Sequence, residues 1–75
     1  MGEEKIRYVV TKERFSGPDI GVYDTYGITC QAAGQMIRIR DISTDAKKVT
    51  RMEKKFNRFG LAPIHFYDVV EDMLA

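Results

Sequence analysis

Apolar and polar residues alternate from Lys5 to Arg14. Ile6, Tyr8 and Val10 share one face and Lys5, Arg7, Thr11 and Glu13 the other, with Val9 the exception. A period of two with one wet side predicts a strand. Ser16-Gly17-Pro18-Asp19 reads as a turn, because glycine relaxes the backbone and proline fixes φ at the next corner. A second strand is expected between Ile20 and Ala32, interrupted near Asp24-Thr25. Its clean part sets Tyr26, Ile28, Cys30 and Ala32 on one face. After a weaker turn at Ala33-Gly34-Gln35, Met36 to Ile42 points Ile37 and Ile39 inward and Arg38 and Arg40 outward, and Asp41 ends the run.

The period then changes from two to about 3.6. From Thr44 to Arg58, residues Ala46, Val49, Met52, Phe56 and Phe59 fall on one side of a helix, and Glu53 is the only polar residue in that arc. Ser43 or Thr44 is placed to cap its N-terminus, and Asp45 complements the positive end of the dipole. Gly60 supplies a left-handed C-cap. Pro63 sits where proline is tolerated, in the first turn of a second helix running to Leu74. The apolar arc of that helix is Phe66, Tyr67, Val70, Met73 and Leu74, with Val69 and Ile64 at its margins. Three sequential strands with short connections predict an antiparallel meander. The fold class is therefore α+β, order βββαα, with a two-helix hairpin packed on one sheet face. The chain reads as one small domain over residues 1–75, the sheet at about 5–42 and the helices at about 44–58 and 63–74.

Composition narrows the functional classes. A 75-residue chain buries a modest core, so marginal stability or help from a partner subunit is expected. A net charge of +1 gives no global attraction to nucleic acid or acidic membranes; what matters is how the charge is distributed. No apolar run approaches the roughly 20 residues needed to span a bilayer, and the N-terminus lacks the apolar stretch of a signal peptide. Cytoplasmic location without membrane association is the expectation. A single cysteine allows neither an internal disulfide nor a cysteine-based zinc site.

The segments Tyr26-Gly27-Ile28, Asp41-Ile42-Ser43-Thr44-Asp45, Leu61-Ala62-Pro63-Ile64-His65 and Asp68-Val69-Val70-Glu71-Asp72, with Asn57 late in the first helix, carry a resemblance. The chain resembles a family of short uncharacterised proteins of clostridia and related Firmicutes, a domain of unknown function, over roughly residues 5–75. Ala62 departs from the serine that the family places before the second helix. The resemblance implies a bacterial or phage source and a shared fold, and transfers no activity and no catalytic residues.

Candidate chemistry is sparse. His65 with Asp68 and Asp72 offers metal-ligand types, but positions three and seven residues on along one helix do not converge on one ion, and a surface histidine is the better account. Cys30 lies mid-strand on the core face, where a thiol packs as a small hydrophobe. No glycine cluster forms a phosphate loop, and no set of residues makes a catalytic constellation. The chain is therefore read as non-enzymatic, with no cofactor and no metal.

The outer faces of the helices are more informative. Lys47, Arg51, Lys54 and Arg58 form a basic stripe on the first, widened by Lys48 and Lys55; His65, Asp68, Glu71 and Asp72 form an acidic face on the second. A helix-turn-helix reading fails because its second helix would bring carboxylates to the DNA phosphates. Stacking of RNA beside Arg38 and Arg40, with Tyr8 or Phe15, is weakened by tyrosines that fall mostly on the core face. A protein partner docked through the basic helix, with the acidic helix as the second face, is the favoured reading, and a homodimer is compatible with the opposite charges. Nucleic-acid binding through the same basic helix is the alternative, and a phage-type inhibitor of a host nucleic-acid enzyme is a narrower variant. Four tyrosines and four phenylalanines, several of them flanking the turns (Phe15, Tyr23, Phe59), exceed what so thin a core encloses, so either some are exposed as interface anchors or they complete a thin core against the sheet.

Overall fold

A computed structural model describes residues 5–74. Strands β1 (Ile6–Gly17), β2 (Gly21–Ala32) and β3 (Gln35–Ser43) form one antiparallel sheet in the order β1-β2-β3. Helix α1 (Ala46–Phe59), a single 3-10 turn (Pro63–His65) and helix α2 (Phe66–Leu74) follow. The α+β fold in βββαα order is the one that the hydropathy pattern predicts. Both helices lie against the sheet, α1 across all three strands and α2 over β3.

The first hairpin is longer than the pattern suggests. β1 continues through Ser16 to Gly17, and β2 runs unbroken through Asp24-Thr25. The ladder keeps register from Ile6↔Ala32 to Gly17↔Gly21, so the ribbon projects beyond the helices and the molecule measures 51 × 24 × 18 Å. The polar pair Asp24-Thr25 stays in the strand because both side chains have partners. Asp24 accepts from Arg14 Nε at 3.0 Å and lies 3.6 Å from Lys12 Nζ. The Thr25 hydroxyl is buried and donates to Asp41 Oδ1 at 2.5 Å, with Ser43 O at 3.2 Å.

Those contacts belong to an irregularity in β3. Tyr26 pairs with Ser43 while Ile28 pairs with Ile39, so β3 carries extra residues opposite Gly27. Asp41 takes the left-handed conformation (φ 54°), which aspartate tolerates better than most residues with a side chain. The bulge presses the backbone of Ile39 and Arg40 onto Gly27, and any Cβ there would collide with the Ile39 carbonyl. Asp41 therefore redirects β3 rather than ending it, and Ile42 enters the core.

The core is a single cluster. The sheet contributes Tyr8, Ile28, Cys30 and Ile42, α1 contributes Val49, Met52 and Phe56, and α2 contributes Phe66 and Val70. Burial of each large apolar side chain stabilises by about 1.5–3 kcal/mol relative to exposure. Tyr8 lies at the centre. Its ring meets Phe56 and Phe66 edge-on at centroid distances of 5.3 and 5.1 Å. Its hydroxyl donates to Leu61 O at 2.6 Å, which pins the interhelical turn to β1. Burial, and then the neighbouring Cys30 thiol, push the phenol well above its ordinary pKa.

The N-cap of α1 is Asp45, whose carboxylate accepts from Lys47 N at 3.0 Å and Lys48 N at 3.4 Å. Ser43 instead accepts from Asp45 N, so the residue expected to complement the dipole also caps the helix. Gly60 closes α1 at φ 62° as the left-handed C-cap. The second helix opens as the 3-10 turn with Pro63 in its first turn, and this delays the α-helix to Phe66.

Candidate interaction surface

Helix α1 has two working flanks besides its buried face. One turns to β1, whose outer edge has no strand partner. There Asn57 behaves as a short piece of strand: its Oδ1 accepts from Tyr8 N at 2.8 Å and its Nδ2 donates to Tyr8 O at 2.9 Å. One turn earlier Glu53 Oε2 accepts from Val10 N at 2.9 Å. Glu53 is thus the explained exception in the apolar arc. A carboxylate and a carboxamide four residues apart satisfy edge groups that would otherwise lie unpaired beneath the helix.

The opposite flank and the crest carry the basic residues. Lys47, Lys48, Arg51, Lys54, Lys55 and Arg58 are all exposed, and among the described residues none forms an ion pair. Arg58 lies 5.5 Å over the Phe59 ring, a contact that leaves its charge at the surface. Asp68, Glu71 and Asp72 on α2, and His65 in the 3-10 turn before it, are likewise exposed and unpaired among the described residues. The structure keeps the basic set on α1, splits the second set between the 3-10 turn and α2, and does not join the two sets.

Arg7 and Arg38 on the sheet are exposed without an ion pair among the described residues, but the other sheet charges behave differently. Arg40 makes a two-point contact with Glu13, Nε at 2.9 and 3.0 Å and Nη2 at 2.6 Å, and its guanidinium lies 5.6 Å over the Phe15 ring. Phe15 packs on Tyr23 at 6.0 Å. The hydrogen bond from Arg40 holds the Glu13 carboxyl below its ordinary pKa, and Arg14, then Lys12, do the same for Asp24. Of the residues weighed for RNA stacking, Arg40 and Phe15 are therefore engaged with each other, Arg38 stands exposed, and Tyr8 is in the core. Phe15 and Tyr23 are half-buried against one another.

Phe59 departs from its predicted place in the apolar arc. It is 73 % exposed, in line with the expectation that some turn-flanking aromatics face solvent. It forms one wall of a groove of about 390 Å³ between α1 and α2, with Phe56, Leu61, Val69 and Met73 as floor and Lys55 at the rim. Tyr67 and Leu74 also leave their predicted buried arc, at 62 % and 44 % exposure, and Ile64 is 82 % exposed. The physical reason is the rotation of the helix. α2 settles with Phe66 and Val70 inward and Val69 and Met73 packed beside them toward α1, so the stripe about 60–80° to the other side, at Tyr67 and Leu74, faces solvent.

Cys30 is free and fully buried beside Tyr8. No three His, Cys, Asp or Glu side chains converge on a common point among the described residues, and no helix there is long and apolar enough to cross a membrane.

A small βββαα domain with a basic crest on α1 and carboxylates on the outer face of α2 belongs to the α+β class. The chain is a member of a family of unknown function (DUF6514), whose pattern matches residues 1–75. No curated protein and no solved structure matches it.

Proposed function

We propose that the protein is a non-enzymatic, cytosolic interaction module that docks on a protein partner through the crest of α1. The observation that carries this reading is the concentration of unpaired cations on one helix. Lys12, Arg14 and Arg40 on the sheet have intramolecular carboxylates and Arg7 and Arg38 stand unpaired but apart on different strands, whereas six cations without an ion pair among the described residues gather on α1. Cations held at helical spacing on a rigid element suit a complementary acidic surface and speed encounter with it. The non-enzymatic reading is supported by the placement of the two most reactive side chains. The Cys30 thiol is enclosed in the core. His65 stands on the surface, and its side chain makes no hydrogen bond among the described residues. The acidic face of α2 is the second candidate contact.

A protein partner is favoured over nucleic acid because Asp68, Glu71 and Asp72 lie on the adjoining helix and would repel phosphates. In-cell crosslinking from a photoreactive residue at Thr50, followed by nuclease treatment and moderate salt, separates the two. The expected result is a protein adduct that persists through both treatments. An adduct of nucleic acid that falls steeply with salt transfers the crest to polyanion binding.

A further inference from the structure

We propose that the groove between α1 and α2 is a self-association surface, covered in solution by α2 of a second copy of this chain. The groove is apolar in its floor and basic on its α1 side. Phe59 and Lys55 line it, and Lys48, seven residues before Lys55, continues the same stripe toward the helix N-terminus. Helix α2 has the complementary character: Tyr67 and Leu74 stand exposed on one stripe with Glu71 beside them, Asp68 and Asp72 follow on the outer surface, and the helix holds no Lys or Arg.

Charge decides which elements of two copies can meet. Two α1 crests repel, as do two α2 outer faces. The pairing of α1 with α2 of the other copy is attractive, and a two-fold axis makes that pairing twice. The same contact covers Phe59 and Tyr67, large side chains that burial within one copy leaves in water. Lys47, Arg51 and Lys54 lie on the far side of α1 from the groove, so self-association leaves them available. The proposal shares Lys48 and Lys55 with the docking role above, which keeps Lys47, Arg51 and Lys54, so either can fail alone.

The test is sedimentation velocity over a wide concentration range, with circular dichroism as the check on folding. Wild type is expected to shift with concentration from 8.6 kDa to twice that mass. Phe59→Glu should weaken association by at least about tenfold, and Phe59→Ser gives the same reading if the charged variant loses its fold. One chain carrying Lys48→Glu and Lys55→Glu, and another carrying Glu71→Lys and Asp72→Lys, should each be monomeric alone and should associate when mixed. A wild type that stays monomeric throughout overturns the proposal. So does a dimer indifferent to the Phe59 change, or a failure of the two charge-reversed chains to associate.

Discussion

The two flanks of α1 obey opposite rules although they lie on one helix. Toward β1, Glu53 and Asn57 spend their polar atoms on the backbone of Tyr8 and Val10, and the helix becomes part of the sheet edge. On the crest, Lys47, Arg51, Lys54 and Arg58 have no carboxylate among the described residues. A polar side chain directed at an unpaired strand edge is structural, because its loss strands backbone groups under the helix. A charged side chain directed at water contributes little to stability, and its surface is free to be used. The sheet face offers a third case, in which Arg40 is exposed yet held by Glu13 and Phe15.

The largest effect should come from the structural flank. Asn57→Ala removes both partners of Tyr8 and is expected to cost about 1–3 kcal/mol in denaturant unfolding. Asn57→Asp should recover only part of that, since it keeps the acceptor for Tyr8 N and repels Tyr8 O. If Asn57→Ala is neutral, the edge-capping account is wrong.

Next come the two buried threonines of β2, which make the comparison on one strand. Thr25 donates to Asp41, whereas Thr29 Oγ1 has no partner. Thr25→Val should cost about 1–2 kcal/mol, because it leaves the bulge at Asp41 without its donor. Thr29→Val should be neutral or stabilising in the same assay. Equal costs for the two would show that shape, rather than hydrogen bonding, is what is measured.

A pH effect follows from Tyr8. Its folded pKa lies above the unfolded one, so its contribution to stability is complete below the ordinary phenol range. That contribution is lost as pH rises from there toward the folded value. Thermal unfolding should therefore show an alkaline decline above about pH 10, diminished in Tyr8→Phe. Tyr8→Phe should also lower stability by about 1 kcal/mol at neutral pH through loss of the bond to Leu61 O. An unchanged alkaline limb in Tyr8→Phe would assign the decline to other groups.

Local periodicity made much of this fold legible. The alternation at Tyr8-Val10 and at Ile37-Ile39, and the helical spacing of Val49, Met52 and Phe56, predict elements and inward faces that the structure keeps, whereas Ile6, expected on the same face, is 38 % exposed at the start of β1. What escaped depends on contacts distant in sequence. Asp24-Thr25 looks like a break until Arg14 and Asp41 are brought to it from neighbouring strands. Tyr67 and Leu74 sit in an apolar arc, but packing against α1 turns Val69 and Met73 inward instead and leaves that stripe in water. The basic crest was legible, because charge at helical spacing needs no tertiary information. The role of Glu53 and Asn57 was half-visible: a polar residue inside an apolar arc, with an amide one turn later, is the trace that an edge strand leaves on the helix covering it.

The most direct test of the central claim is the variant Lys47→Glu, Arg51→Glu, Lys54→Glu, Arg58→Glu, followed in parallel by thermal unfolding and by crosslinking from Thr50. The account predicts a small stability loss of about 1–2 kcal/mol, from four exposed replacements on one helix, together with loss of the protein adduct. A variant that keeps its adduct at wild-type yield, or one that fails to fold, would contradict the claim that the crest is set aside for a partner.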